Sequence, residues 1–281
     1  MNPKMETPEV SIIIPTHNSA QTLPSCLKSV RNQIYKHLEV IVVDDLSSDE
    51  TVKISESFGA EIILRKSNQA EARNVGVAQS SGEYVLFLDS DQILSPSVIE
   101  ECVEKCVQEK AEMVRIPEVF VGKGYWSVCS AVWKNRYEKV EHLYGRRSGL
   151  MHGEPRFFVK ARIQDLGMFD TLLVWGEDYE LYERLKSANI RESFCPSVLY
   201  HLEADSLKQI LLKNLRYGRW MPTFVKQTNR VIFPSMLSHA LLTFAQIVKE
   251  PQKPDVVFGC FLLFFVKSSS MLIGVVRGTG L

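Results

Sequence analysis

The chain has 281 residues, is 45% hydrophobic, and carries 33 basic against 33 acidic side chains for a formal net charge of zero. That is ample apolar material for one large α/β domain with an appendage, or for two small domains. A polyanion-binding protein shows a basic excess, so this balance argues against nucleic acid as a partner.

Met1 to Val10 is polar and holds two prolines. It lacks the charged-then-apolar order of a signal peptide, which points to a cytoplasmic location. Val10 to Pro15 is a short apolar run that reads as a buried strand, followed by a helix with Leu23, Leu27, Val30 and Ile34 at helical spacing. Glu39 to Asp45 is a second strand that runs into two carboxylates, and Ser48 or Asp49 caps a helix through Phe58. Ala60 to Leu64 is a third strand, Asn68 to Gln79 a helix, and Glu83 to Leu88 a fourth strand ending in Asp89-Ser90-Asp91. Cys102 and Cys106 fall on a following helix. The six cysteines form no CxxC pair and have no histidines at zinc-finger spacing, so buried free thiols are expected. Gly122 to Gly153 is mixed, suiting a loop-and-helix region. Glu177 to Ser187 is a helix with Leu181 and Leu185 inward, and after His201 the chain turns helical and increasingly apolar.

Near-continuous apolar strands separated by helices imply a mostly parallel sheet covered on both faces. In such sheets ligands bind beyond the carboxyl ends of the strands, where Asp44, Asp45, Asp89 and Asp91 all fall. Asp89 and Asp91 can share a hard cation such as Mg2+ or Mn2+, or can serve as turn and capping residues. Asp44 and Asp45 can accept hydrogen bonds from a base or a ribose, or can cap the helix that follows. The chain has no GxGxxG and no GxxxxGK[ST], so dinucleotide dehydrogenases and P-loop enzymes are unsupported. Without such a loop, a metal held by carboxylates can neutralise a diphosphate.

Six segments in order over residues 10 to about 205 resemble the family 2 glycosyltransferases. They are Ser11 to Asn18 (SIIIPTHN), Val42 to Asp49 (VVDDLSSD), Ala72 to Gly76 (ARNVG), Leu86 to Asp91 (LFLDSD), Gly167 to Asp170 (GMFD) and Gly176 to Leu181 (GEDYEL). The resemblance implies a GT-A fold, a nucleotide-sugar donor, a divalent metal (Mn2+ or Mg2+), and inverting transfer to a hydroxyl of a glycan or polyprenyl-linked acceptor. It further implies that Pro15, Thr16 and Asn18 line the nucleotide pocket, that Asp45 reads the base, and that Arg73 lies near base or diphosphate. Asp89 would approach the ribose, Asp91 ligate the metal, and Asp178 act as catalytic base, with His201 as a further metal ligand. A base there makes physical sense. Inverting transfer is an in-line displacement in which one carboxylate takes the acceptor's proton, and a helix start favours the ionised form. An N-terminal capping role fits the same position as Asp178, and His201 has a structural alternative.

On this reading residues 1–205 form the catalytic domain, with a nucleotide-binding half over about 10–116 and an acceptor half over about 117–205. Residues 206–281 form a helical, apolar extension. Val231 to Val248 and Val256 to Val276 are apolar, but Lys267 and three serines interrupt the second run. Helices lying in a membrane interface, or a shallow hairpin, therefore fit better than a span, and a packed extension is the alternative. Lys208, Lys213, Arg216, Arg219, Lys226 and Arg230 precede them and can meet anionic headgroups, placing the protein peripherally on the cytoplasmic face of a membrane. Arg216 to Trp220 suit either a basic, aromatic lid or the polar end of a membrane-lying helix. Two rivals fare worse. A sugar nucleotidyltransferase carries a glycine-rich basic loop where Pro15 to Asn18 stands. A non-catalytic sugar-nucleotide-binding or membrane scaffold protein would lack Asp91 or Asp178.

Overall fold

A computed structural model describes residues 8–144, 155–228, 233–250 and 252–278. The first part alternates β1 (Val10–Thr16), α1 (Leu23–Arg31), β2 (Leu38–Asp44), α2 (Thr51–Ser57), β3 (Glu61–Leu64), α3 (Gln69–Gln79) and β4 (Tyr84–Phe87). Next come β5 (Gln92–Leu94), α4 (Val98–Gln108), β6 (Met113–Arg115), β7 (Glu118–Val121) and α5 (Tyr125–Tyr144). Then follow β8 (Pro155–Val159), α6 (Lys160–Asp165), α7 (Glu177–Ser187), β9 (Glu192–Phe194) and β10 (Leu199–Leu202). Three helices complete the described chain: α8 (Leu207–Thr228), α9 (Phe233–Lys249) and α10 (Pro254–Gly278). Two compact units result. One comprises Met1–Pro117, Glu154–Thr171 and Glu180–Tyr200; the other comprises Glu118–Gly153, Leu172–Tyr179 and His201–Leu281.

The first unit is built on a seven-stranded sheet in the order β3-β2-β1-β4-β8-β6-β9. β1 to β4 are mutually parallel, β8 runs antiparallel to β4 and β6, and β9 is parallel to β6. Successive strand side chains point to opposite faces, which is why the apolar run of β1 is continuous. Ile12 and Ile14 enter one core cluster with Val42 and Leu86, while Ile13 enters the other with Val85 and Phe87. Strand order reverses between β1 and β4, so the ligand crevice of such a sheet lies at their carboxyl ends. A second, three-stranded sheet has the order β5-β10-β7.

Local differences from the sequence reading have simple causes. The first helix ends at Arg31, so Ile34 lies beyond it, exposed, with its N–H on the Pro96 carbonyl. α2 starts at Thr51, and Asp49 accepts the Thr51 N–H at 3.0 Å from two residues upstream. Asn68 caps α3 by accepting the Glu71 N–H, and all six cysteines are free and buried. Much of the expected loop-and-helix region is the single helix α5, while 145–153 lie outside the described residues.

In the second unit α10 packs against α8 and α5, and α9 packs against α5. Trp133 of α5 stacks on Phe264 of α10 with centroids 5.4 Å apart. Lys267 and the serines do not break α10, which is one continuous helix. Lys267 donates to Ser130 Oγ at 2.9 Å, Ser130 donates to Glu203, and Lys134 pairs with Glu203 at 2.6 Å. The charge that looked like an interruption therefore faces protein. Burial, with Lys134 nearby, pushes Lys267 down to about 8 from its ordinary 10.5. Burial alone would raise Glu203, yet Lys134, Ser130 and Lys267 hold it down at about 2.

A lysine whose folded pKa is depressed binds fewer protons folded than unfolded between pH 8 and 10.5. Its cost to folding is full below pH 8 and fades as pH rises to 10.5. A shift of this size corresponds to roughly 3 kcal/mol. Lys267→Met is therefore expected to raise the unfolding free energy at pH 7 by about 1–3 kcal/mol, with the gain shrinking towards pH 10. Denaturant titrations of both proteins at the two pH values check this. A variant less stable at pH 7, or a gain independent of pH, would count against it.

Candidate active site

The β1 and β2 ends are tied together by short polar contacts that follow from their register, Thr16 lying opposite Asp44. Asp44 is fully buried; it accepts the Thr16 hydroxyl at 2.8 Å, the Ser47 N–H at 2.7 Å and the Ser47 hydroxyl at 2.6 Å. Its carboxylate is thus a structural knot. Asp45, one pleat on, faces outward, accepts the Ser67 N–H at 3.1 Å, and has its backbone carbonyl 2.7 Å from His17 Nδ1. Asn18 adopts φ of 50°, a conformation asparagine tolerates better than most residues. Its side-chain oxygen accepts the Ser48 N–H at 2.8 Å, and its own N–H donates to Ser47 Oγ at 2.7 Å. Pro15 lies opposite Val43, half-buried at the same strand end.

Across the switch point, Asp89 follows β4, and its carboxylate receives donors from three side chains on two elements. Gln69 Nε2 and Arg73 Nη2 of α3 approach Oδ1 at 2.9 and 3.1 Å, and Arg156 of β8 approaches Oδ2 at 3.4 Å. Both arginines are 1% exposed and are the largest fully buried side chains among the described residues. The Arg73 guanidinium also stands 5.1 Å over the Phe169 ring. Arg156 and Gln69 were missed in the sequence. The available signal was a charge inside the apolar run Pro155-Arg156-Phe157-Phe158, a position that demands a buried partner. Asp91 lies in the turn between β4 and β5, half-buried. The hydroxyl of Ser90, between the two acids, donates to Ser19 Oγ at 2.9 Å and links the β4 turn to the loop after β1.

Pro15, Thr16, Asn18, Asp45, Arg73, Asp89 and Asp91 thus gather at the carboxyl ends of β1, β2 and β4 in the first unit. Asp178 and His201 belong to the second. Asp178 stands in the first turn of α7, where the helix partial charge favours a carboxylate. His201 lies inside β10, with Nδ1 at 3.1 Å from a Glu118 oxygen and its ring 5.1 Å from that of Phe120. A carboxylate holding one imidazole nitrogen orients the other, the arrangement usual behind metal-binding histidines. Glu118 was not singled out by any sequence signal. Arg216 to Trp220 are part of α8, with Gly218 buried against α10, and form no separate loop.

Among the described residues no group of three or more His, Cys, Asp or Glu side chains forms a metal cage. The chemistry of the donors still fits a shared cation. Asp89 is held by guanidinium and amide donors, and Asp91 is the second carboxylate at that turn, of the hard-oxygen type that such ions take. Mg2+-type ions are commonly held by one or two carboxylates plus substrate phosphates.

A mostly parallel sheet whose strand order reverses between β1 and β4, with carboxylates and buried arginines at that point, is a doubly wound α/β architecture. Residues 11–162, more than half of the chain, match the model of glycosyl transferase family 2, and the chain belongs to that family. It is 30% identical over 190 residues to an uncharacterized glycosyltransferase of Rickettsia prowazekii, covering 65% of this chain and 60% of that one. It is 28% identical over 225 residues to glycosyltransferase AglE of Haloferax volcanii, covering 75% and 72%. The chain spans about three fifths of the length of the Rickettsia relative. In fold it is similar to mannosyltransferase PcManGT from Pyrobaculum calidifontis, solved in complex with GDP-Man and Mn2+. The TM-score is 0.61 at 18% identity, over 98% of this chain and 88% of that one. Staphylococcus aureus TarS 1-349, solved with UDP-GlcNAc, gives 0.57 at 17% identity over 96% and 90%. The fold is GT-A.

Proposed function

We propose that this chain is a metal-dependent inverting glycosyltransferase that moves a sugar from a nucleotide-sugar donor to a hydroxyl of a glycan or lipid-linked acceptor. The observation that carries it is that the carboxyl ends of β1, β2 and β4 bear Asp45, Asp91 and the buried Arg73–Asp89–Arg156 group, in a chain without a glycine-rich phosphate loop. Asp45 reads the base, and Pro15, Thr16 and Asn18 shape the wall of the nucleotide pocket. Arg73 and Arg156 fix Asp89 towards the ribose. Asp91 and His201 are the protein ligands of a divalent cation, Mn2+ or Mg2+, whose role when bound is to offset charge growing on the leaving diphosphate. Asp178 takes the acceptor hydroxyl's proton. PcManGT binding GDP-Man with Mn2+, and TarS binding UDP-GlcNAc, support the donor class. Catalysis is assigned to residues 1–205, and 206–281 form the apolar extension. A melting-shift screen of UDP, GDP, CMP and dTDP sugars with and without Mn2+ tests this. A metal-dependent shift with one donor class is expected, and silence across the panel would sink the reading.

The lipid-linked acceptor and a peripheral place on the cytoplasmic face of a membrane belong to the same reading. Pro254–Arg277 is long and apolar enough to cross a membrane, with mean hydropathy 2.1. One side of it faces α5 and α8 with Lys267 inward, whereas Phe258, Phe265, Leu272 and Val276 are exposed, as are Leu241 and Val248 of α9. An apolar side with basic residues Lys208, Arg216 and Arg219 on the neighbouring α8 suits a helix lying in an anionic interface. The joint change Phe258→Glu and Phe265→Glu is expected to cut flotation with phosphatidylserine vesicles at least tenfold. Undiminished flotation would place the contact elsewhere.

A further inference from the structure

The segment that carries Asp178 is built around a ring supplied by α8. Gly176 has φ of 81°, and a Cβ placed there would stand 2.5 Å from Phe224 Cδ2, so backbone and ring are in direct contact. The rings of Trp175 and Tyr179 meet Phe224 edge-on, with centroids at 5.2 and 5.6 Å. Phe224 is 1% exposed, and Leu173 and Met221 close the same cluster. The ring therefore touches residues on both sides of Asp178 in the chain.

α8 is itself fixed two turns earlier. Gly218 faces Met271 and Gly274, and Gly274 faces Leu215, so closely that a Cβ on either glycine would overlap the opposing backbone. Two helices crossing backbone to backbone leave little freedom for sliding. Pro222, between the crossing and Phe224, removes one hydrogen bond of the helix ladder.

We propose that Phe224 is a positioning residue for Asp178: its ring clamps residues 175–179, and the Gly218–Gly274 crossing with α10 supplies the footing on which the clamp rests. The proposal rests on the reading of Asp178 as the base. Its physical ground is that a displacement of about 1 Å at a reacting group costs on the order of 10² in rate.

The test compares the full chain with Phe224→Ala, Phe224→Leu and Gly274→Val in two measurements. In amide hydrogen exchange, Phe224→Ala and Gly274→Val are expected to speed exchange at residues 174–179 at least tenfold, with β1 and β2 unchanged and Phe224→Leu in between. In turnover with GDP-mannose and UDP-N-acetylglucosamine plus Mn2+, Phe224→Ala is expected to lower kcat tenfold or more and leave KM for the donor within twofold. In an Asp178→Asn background the same change is expected to have no further effect, because the ring acts through the base. Unaltered exchange at 174–179 overturns the clamp, and so does an equal loss of kcat in the Asp178→Asn background. If the unaltered chain turns over neither donor, hydrogen exchange alone decides whether the clamp exists, and the donor panel decides the transferase reading separately.

Discussion

Asp178→Asn is expected to leave donor affinity within about twofold of the unaltered protein and to cut turnover by about 10² or more, the usual contribution of a general base. The carboxamide keeps the shape and the hydrogen-bond acceptor of the side chain, so the first turn of α7 loses no packing. What disappears is the basic lone pair. Because the acceptor hydroxyl must shed its proton as the new bond forms, the loss appears in kcat and not in donor binding. Isothermal titration with donor alongside steady-state turnover separates the two. A matching fall in affinity would return Asp178 to the capping role that its position at the start of α7 also allows.

Asp91→Ala is expected to act on binding instead. Asp89 is held by Gln69, Arg73 and Arg156, so its carboxylate is tied into a protein network and cannot take over as a hard-ion ligand without breaking it. Removing Asp91 should then lower donor affinity in Mn2+ by on the order of 10², the scale on which losing a metal-supporting group acts, and abolish the difference between Mn2+ and chelator. Titrations with and without EDTA measure this. Retention of a metal-dependent difference would take Asp91 out of the metal's ligand set.

The two halves of the chain were unequally legible. β1 to β4 and the helices between them announce themselves because strands buried on both faces must be continuously apolar, and because Asn68 and Asp49 sit where helix starts need acceptors. The pair Asp44-Asp45 was legible as a strand end but not as two different roles. Only the register with Thr16 shows that Asp44 ties the loops together while Asp45 faces out. The partners of Arg156 and Glu118 were not legible, because Asp89 and His201 lie 67 and 83 residues away in sequence. Lys267 misled in the opposite sense. Hydropathy registers a charge in an apolar run, but not the Ser130, Lys134 and Glu203 network that receives it. Phe224 carried no signal at all, being one aromatic among many until Gly176 is seen beneath it.

Metal-dependent transfer with Asp178 as the base is tested by release of nucleoside diphosphate from nucleotide sugars, measured with Mn2+, with EDTA, and with the Asp178→Asn protein alongside. Slow release from one donor class is expected in Mn2+, none above background in EDTA, and at least a hundredfold less from the variant. Release that is equal in EDTA, or equal in the variant, would contradict it.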